Sequence, residues 1–405
     1  MKKRIVLLHS ENVYNYGTFM MVENLIHYLG NNFEYYLDVK SDEDLERVNN
    51  EVPGDFTIKR LKLSPKPKIN NIIDNFKNVY VKNHLHIKEI LYVKPDAVIV
   101  LGGDDLSEYY AGWKISIELS KFKYLSKKTR LFLVGQTMGP FYSWRKFFAK
   151  WSLRDTIVFL RDPDSYNYLK QNLSWENDLY RASDLAFLDL PMQDTRQKVL
   201  EKYNLQGKKY VTIIPSGLFK LYCSNRESYI KSWVKMLEGM KTLPELKGYT
   251  FVLLAHVLKP VHVDDRKIIE EMCDRVESIV KITDVLYPSE AREILGNGEF
   301  TITGRMHPAV STYQKRKLAI CFSYSIKYEG VIGNDVGRGD LVIESTDNDL
   351  WNTGEIANML VEKVRYLLSK KDVLEVEVQK SMMNVEKRAI MQINKIREDM
   401  NNGYE

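Results

Sequence analysis

The chain has 405 residues, long enough for two or three domains, and its 44% hydrophobic and 28% charged residues are those of an ordinary globular protein. Only 21 glycines and 12 prolines are present, which excludes collagen-like and mucin-like classes, and the apolar content excludes intrinsic disorder. A net charge of +5 is too thinly spread for a nucleic-acid footprint, so nucleic acid is not an expected partner; the excess suits an anionic substrate or contact with acidic lipid.

The start, Lys2-Lys3-Arg4 before Ile5–Leu8, imitates a signal peptide, but the apolar run stops at His9-Ser10-Glu11-Asn12 and reads as a buried first strand. The loop Asn15-Tyr16-Gly17-Thr18 and a helix near Met20–Tyr28 follow, then a charged region (Lys40–Asn50), a Pro/Lys-rich loop (Leu63–Lys68) and a helical stretch to about Leu91. Three buried runs each end in a turn: Ala97–Leu101 before Gly102-Gly103-Asp104-Asp105, Leu131–Val134 before Gly135–Pro140, and Ile157–Leu160 before Arg161-Asp162. Ala182–Phe187 reads as one more extended segment. The polar, helical Pro191–Gly207 marks the crossover to a second series.

That series runs through Tyr210–Ile214, a helix near Glu227–Lys241, Thr250–Ala255, a helix near Asp265–Ser278 and a short one at Ser289–Leu295. It continues through Phe300–Ile302 before Thr303-Gly304-Arg305-Met306-His307, and Leu318–Phe322 before Ser323–Gly330. Helices are expected over Thr353–Ser369 and about Lys371–Met400. No run reaches the roughly 18 apolar residues that span a bilayer. Cys223, Cys273 and Cys321 are odd in number and far apart, so neither structural zinc nor a disulfide framework is expected, and a reducing cytoplasm is the natural home.

Short buried runs alternating with helices predict an α/β protein with parallel sheets. The expected organisation is two Rossmann-like domains, residues 1–190 and 191–350, with C-terminal helices over 351–405 that return to the first domain. This resembles the glycosyltransferase-B-like architecture, where ligands sit off the carboxyl ends of the strands, so the strand-end loops are expected to converge on a cleft between the halves.

Each loop admits a structural and a functional reading. Gly17 permits close approach to an anion at a helix N-terminus, or simply makes a tight turn with Asn15 beside it. Neither a GxGxxG fingerprint nor a Walker sequence occurs. Gly103 and Asp104 can face a sugar, as can Gln136, while the neighbouring glycines serve crowded turns. Arg161 after a strand offers a planar fork to a carboxylate or phosphate, or pairs internally with an acid such as Asp184. Arg305 and His307, two residues apart at a strand exit, combine a cation with the side chain that titrates nearest neutrality. Lys327 and Glu329 follow the next strand. Ser216, His256 and the Glu290–Arg292 region are further candidates for ligand contact.

Taken in order, Gly102-Gly103, Gly135-Gln136-Thr137-Met138-Gly139-Pro140, Arg161-Asp162 with Ser165, Ser183-Asp184, Gly304-Arg305-Met306-His307 and Tyr324-Ser325-Ile326-Lys327 resemble the polysaccharide pyruvyl transferase family over about residues 5–335. The resemblance implies transfer of a pyruvyl group from phosphoenolpyruvate to two hydroxyls of a cell-surface glycan, giving a cyclic ketal without a metal or other cofactor. It implies an acceptor that is often lipid-linked, hence contact with the inner face of the membrane. Arg305 and His307 match the family's Arg-x-His motif and Arg161 its Arg-Asp motif, used for donor binding and acid/base work. Lys327 supplies a further donor cation. Asn15, Gly17, Gly103, Asp104, Gln136, Ser216, His256 and Glu329 are the acceptor candidates. Thr18 stands where the family commonly has an acid, and Pro308 where a small residue is usual. A glycosyltransferase or sugar-nucleotide enzyme on the same architecture is the alternative, with a nucleotide platform at Ser216, His256 and Glu290–Arg292.

Overall fold

In the computed structural model, the described residues are 2–64, 83–104, 106–108, 112, 115–175 and 178–402; most of the Pro/Lys-rich loop, the start of the helical stretch after it, and Asp105 lie outside them. The chain divides into two compact units, the first made of residues 1–13, 21–185 and 387–405, the second of 14–20 and 186–386.

The first unit holds a seven-stranded sheet: β1 (Lys3–Leu8), β2 (Phe33–Leu37), β3 (Thr57–Arg60), β4 (Ala97–Leu101), β5 (Arg130–Gln136), β6 (Ile157–Leu160) and β7 (Leu179–Arg181), in the order β3-β2-β1-β4-β5-β6-β7. Every neighbouring pair is parallel. Helices cover both faces of such a sheet, so its central strands are apolar throughout: Ala-Val-Ile-Val-Leu in β4 is wholly buried. The second unit repeats the plan with β8 (Tyr210–Ile214), β9 (Thr250–Leu254), β10 (Ile279–Ile282), β11 (Phe300–Thr303), β12 (Leu318–Ser323) and β13 (Val342–Glu344), ordered β10-β9-β8-β11-β12-β13. In each sheet the strand order reverses beside the first strand, which is the position where Rossmann-type folds bind ligands.

Three expectations need correction. The charged region Lys40–Asn50 contains a helix, Asp42–Glu51, with a capping box: Ser41 Oγ accepts from Asp44 N at 3.0 Å and Asp44 Oδ2 accepts from Ser41 N at 3.1 Å. The extended segment expected at Ala182–Phe187 is displaced; β7 precedes it, and Leu185–Phe187 is a turn of 3₁₀ helix. The two C-terminal helices are one, Glu355–Asn401, because no glycine or proline interrupts the Ser369-Lys370-Lys371 junction. From Lys387 onward this helix does join the first unit, where Ala389, Ile393 and Ile396 are buried and Gln392 Nε2 donates to Ser183 O at 2.7 Å.

Candidate functional site

In the second unit the strand ends carry a compact polar cluster. Gly304 leaves β11 against Ser216, whose Cβ would lie 3.1 Å from any Cβ added to the glycine, so a larger residue would push the two loops apart. Arg305 is extended (φ −121°, ψ 143°) and caps the helix Met306–Gln314, which places His307 in its first turn. Both side chains therefore leave the backbone at the partly positive end of a helix, a setting that favours an anionic ligand.

Arg305 is anchored by a residue that the sequence did not single out. Asp265, fully buried, accepts from Arg305 Nε at 3.1 Å and from Nη2 at 2.7 Å through Oδ1, which also receives Gly217 N at 2.8 Å. Its Oδ2 receives His256 N at 3.2 Å and Val257 N at 2.8 Å. Arg305 Nη2 further donates to Val263 O at 2.6 Å. These bonds use Nε and Nη2, and Nη1 lies outside them. Burial opposes the charge on Arg305, but Asp265 beside it outweighs that effect and holds the guanidinium firmly protonated.

The His307 side chain lies close against the backbone of Gly17. A Cβ placed on Gly17 would fall 2.2 Å from both Cγ and Nδ1 of the imidazole, so only glycine lets the first turn of the helix Tyr16–Leu29 approach this ring. Asn15 Oδ1 accepts from Gly17 N at 3.2 Å and satisfies one of that helix's unpaired first-turn donors. Tyr16 N donates to His256 O at 3.2 Å, and the two rings meet edge-to-face at 5.2 Å. His256 is buried, and its Nε2 has no hydrogen-bond partner among the described residues. Desolvation pushes its pKa well below the ordinary histidine value, with the charges of His307 and Arg305 adding to the effect. It is a neutral wall of the site.

Lys327, reached from β12, donates to Tyr324 Oη at 2.7 Å and stands 4.6 Å from that ring's centre. Glu329 lies elsewhere: its carboxylate is folded against Gly333 of the π-helix Tyr328–Asp335. Ser216 is wholly buried, with Oγ accepting Leu218 N at 3.2 Å and its backbone clamped by Tyr229 Oη, so it shapes the turn instead of presenting a hydroxyl to an acceptor. Arg292 is no platform for a nucleotide. It is buried and donates to Leu188 O at 2.7 Å and to Ala186 O, which fastens the crossover segment to the helix Pro288–Asn297.

Beside Asp265 opens a cavity of about 550 Å³, lined by Phe219, Lys220, Arg226, His262, Asp264 and Lys267 among others. Among the described residues no group of three His, Cys, Asp or Glu is arranged to hold a metal ion, and no helix is long and apolar enough to cross a membrane.

In the first unit, the expected sugar-facing residues are mostly spent on the loops themselves. Gln136 is buried and its amide donates to Val100 O at 3.1 Å. Gly103 O accepts from Thr137 N at 2.9 Å; Gly103 and Asp104 are half-buried after β4. Arg161 is buried, with Nη1 on Asp184 Oδ2 at 2.7 Å and Nε on Thr137 Oγ1 at 2.9 Å. In the structure the fork makes the internal pair, the second of the two readings its sequence position allows. Asp162 completes the lattice by capping the helix Pro163–Leu173 through Ser165 N at 2.7 Å and accepting from Thr137 Oγ1 at 3.0 Å.

A sequence model of polysaccharide pyruvyl transferases matches residues 15–326, well over half of the chain. The chain belongs to the polysaccharide pyruvyl transferase family. The match includes Gly17, the Arg161–Asp184 lattice, Asp265, Arg305 and His307, and reaches Ile326 just before Lys327. No curated protein matches the chain significantly.

Among solved structures, this pyruvyl transferase family member is similar to UDP-GlcNAc 2-epimerase from Neisseria meningitidis bound to UDP-GlcNAc (12% identity, TM-score 0.59, covering 98% of this chain and 100% of that one). It is also similar to the S. aureus MnaA–UDP structure (12%, 0.57, 94% and 91%) and to sucrose-phosphate synthase from Thermosynechococcus elongatus (10%, 0.56, 98% and 99%). At these identities the likeness concerns the fold, which is the glycosyltransferase-B-like one with two parallel-sheet α/β domains.

Asp265, which anchors Arg305, is the member of this cluster that the sequence did not mark. Its only signal was an Asp264-Asp265 doublet after an apolar strand, which reads equally as a helix start.

Proposed function

We propose that this chain transfers the enolpyruvyl-derived group of phosphoenolpyruvate onto two hydroxyls of a sugar in a cell-surface polysaccharide, forming a cyclic pyruvate ketal. The observation that carries the reading is the placement of Arg305 and His307 in one helix turn, with Arg305 locked by Asp265 and the His307 ring seated on Gly17. The donor carries a carboxylate and a phosphate, so it needs cations held apart, and Arg305 and Lys327 are the candidates.

His307 delivers a proton to the methylene carbon of the donor, and positive charge develops at C2. One sugar hydroxyl bonds to C2 and returns a proton to His307, the C2–O bond to phosphate breaks, and the second hydroxyl bonds to C2 to close the ring while its proton passes to the departing phosphate. Proton transfer of this kind contributes roughly 10²–10⁴-fold in rate, and Arg305 offsets charge on the departing phosphate. The scheme requires no metal or other cofactor. The acceptor is a glycan, a lipid-linked one included, which would bring the protein to the inner face of the membrane. Asn15 and Gly17 remain candidates on its side.

The test is incubation with phosphoenolpyruvate and a panel of aryl glycosides and lipid-linked sugars, followed by mass spectrometry. Pyruvylated product together with inorganic phosphate supports the reading; neither product across the panel defeats it. The cavity at Phe219, Lys220, Arg226, His262 and Lys267 favours a second reading, a sugar-nucleotide enzyme, because an aromatic ring among cations suits a nucleoside diphosphate. Thermal stabilisation by UDP-sugars without stabilisation by phosphoenolpyruvate would select it.

A further inference from the structure

The segment Tyr142–Arg154 of the first unit carries Arg145, Lys146, Lys150 and Arg154 and no acidic residue. Its helix, Arg145–Leu153, buries Ala149, Ser152 and Leu153 against the body. On the other side, large aromatic rings stand in solvent: Tyr142 is 56% exposed, Trp144 57%, Phe147 76% and Trp151 48%. Positions 144, 147 and 151 follow the three-four spacing that puts side chains on one helical face.

Neighbouring contacts hold this face in place without covering it. Trp144 and Trp151 each meet Phe148 with ring centres 5.7 Å apart, Arg145 stacks 5.9 Å from the Trp144 ring, and Lys123 lies 5.2 Å from that of Trp151. The nearby carboxylates are already matched: Glu108 with Arg145 at 2.6 Å, and Asp155 with Lys123 at 2.5 Å and with Arg154 at 3.4 Å. Lys146 and Lys150 flank the most exposed ring, Phe147, with no ion pair assigned to either among the described residues.

We infer that this face is a membrane-docking surface whose partner is a bilayer containing anionic lipid. Tryptophan and tyrosine favour the headgroup level, phenylalanine the acyl boundary, and the lysines the negative surface potential. Charge complementarity selects lipid over a second copy of the same surface, which would set cation against cation. The C-terminal helix is not the docking element, although its sequence is also basic and apolar. Its Ile393 and Ile396 are buried, Arg388 donates to Ser183 Oγ at 3.1 Å, and Arg397 donates to Tyr28 O. The inference deepens the proposed contact with a membrane-borne acceptor by naming the surface that makes it, and its test does not depend on the donor.

The test uses the full chain in co-sedimentation with vesicles of phosphatidylcholine alone and of phosphatidylcholine with phosphatidylglycerol. Three proteins are compared: wild type, Phe147→Glu, and the pair Lys146→Glu with Lys150→Glu. Phe147 and Lys150 are exposed and Lys146 is half-buried, and circular dichroism checks the folding of the variants. Wild type should bind the anionic vesicles, more weakly as salt rises, and each variant should bind about tenfold less. Undiminished binding by the variants, or no binding by wild type, overturns the inference. So does a wild-type dimer that Phe147→Glu converts to monomer while vesicle binding stays unchanged.

Discussion

Asp265 Oδ1 lies 2.7 Å from Arg305 Nη2 and 2.8 Å from Gly217 N, so a single buried carboxylate fixes both the cation of the site and the turn after β8. Its second oxygen holds two more backbone N–H groups after β9. A cation held this way does not have to be ordered when an anionic ligand arrives, which makes it a better charge anchor than a solvated surface arginine.

Asp265→Asn should therefore do two things at once. It leaves Arg305 buried without its counter-charge, which typically costs about 3–5 kcal/mol, and it releases the geometry of the strand-end turn. Urea denaturation should show a large loss of stability, and any folded remainder should have a raised KM for phosphoenolpyruvate. Stability within experimental error of wild type would contradict the anchoring role.

Gly17→Ala tests the contact with His307. The added methyl must displace the imidazole or the start of the helix, because a 2.2 Å approach is far inside van der Waals contact. Overpacking of this kind costs about 1–3 kcal/mol, and a displaced ring should reduce kcat at least about tenfold. The pair of readouts distinguishes this substitution from a merely destabilising one: kcat should fall even at temperatures where the variant is fully folded.

Arg161→Met addresses the opposite claim. Asp184 would lose its buried counter-charge, so the first unit should lose roughly 3–5 kcal/mol, measured by thermal or chemical unfolding. The prediction is a stability defect with near-normal KM for the donor. A raised KM with unchanged stability would restore Arg161 to the donor site.

Much of this was legible in the sequence, for identifiable reasons. The central strands announce themselves because burial on both faces demands continuous apolar runs, as in Ala97–Leu101 and Tyr210–Ile214. The closeness of Arg305 and His307 is legible because a helix entry brings neighbours in sequence to one place. The edge strand β3, Thr-Ile-Lys-Arg, was missed because an edge strand needs only partial burial and can carry charge. Arg161 was read correctly as a fork seeking a carboxylate, but sequence cannot say whether that carboxylate comes from a ligand or from Asp184. Asp265 was invisible because its partner lies 40 residues away, a separation with no local pattern.

The buried, neutral His256 predicts a pH dependence of stability. Its folded-state pKa lies below the ordinary value of 6.5, so the unfolded chain takes up a proton that the folded one refuses. Stability should be complete above about pH 6.5 and decline below it, by up to about 1.4 kcal/mol per pH unit, until the folded-state pKa is reached. In His256→Gln this part of the slope should disappear. An identical acid slope in wild type and variant would show that other groups carry it.

The most direct measurement is turnover in deuterated water with phosphoenolpyruvate and a productive acceptor, read by mass spectrometry for wild type and His307→Gln. Wild type should yield a pyruvate ketal carrying a single deuterium in its methyl group, and His307→Gln should remain folded yet yield almost none. Ketal formation at an undiminished rate in His307→Gln, or consumption of a sugar nucleotide with no ketal at all, would contradict the account.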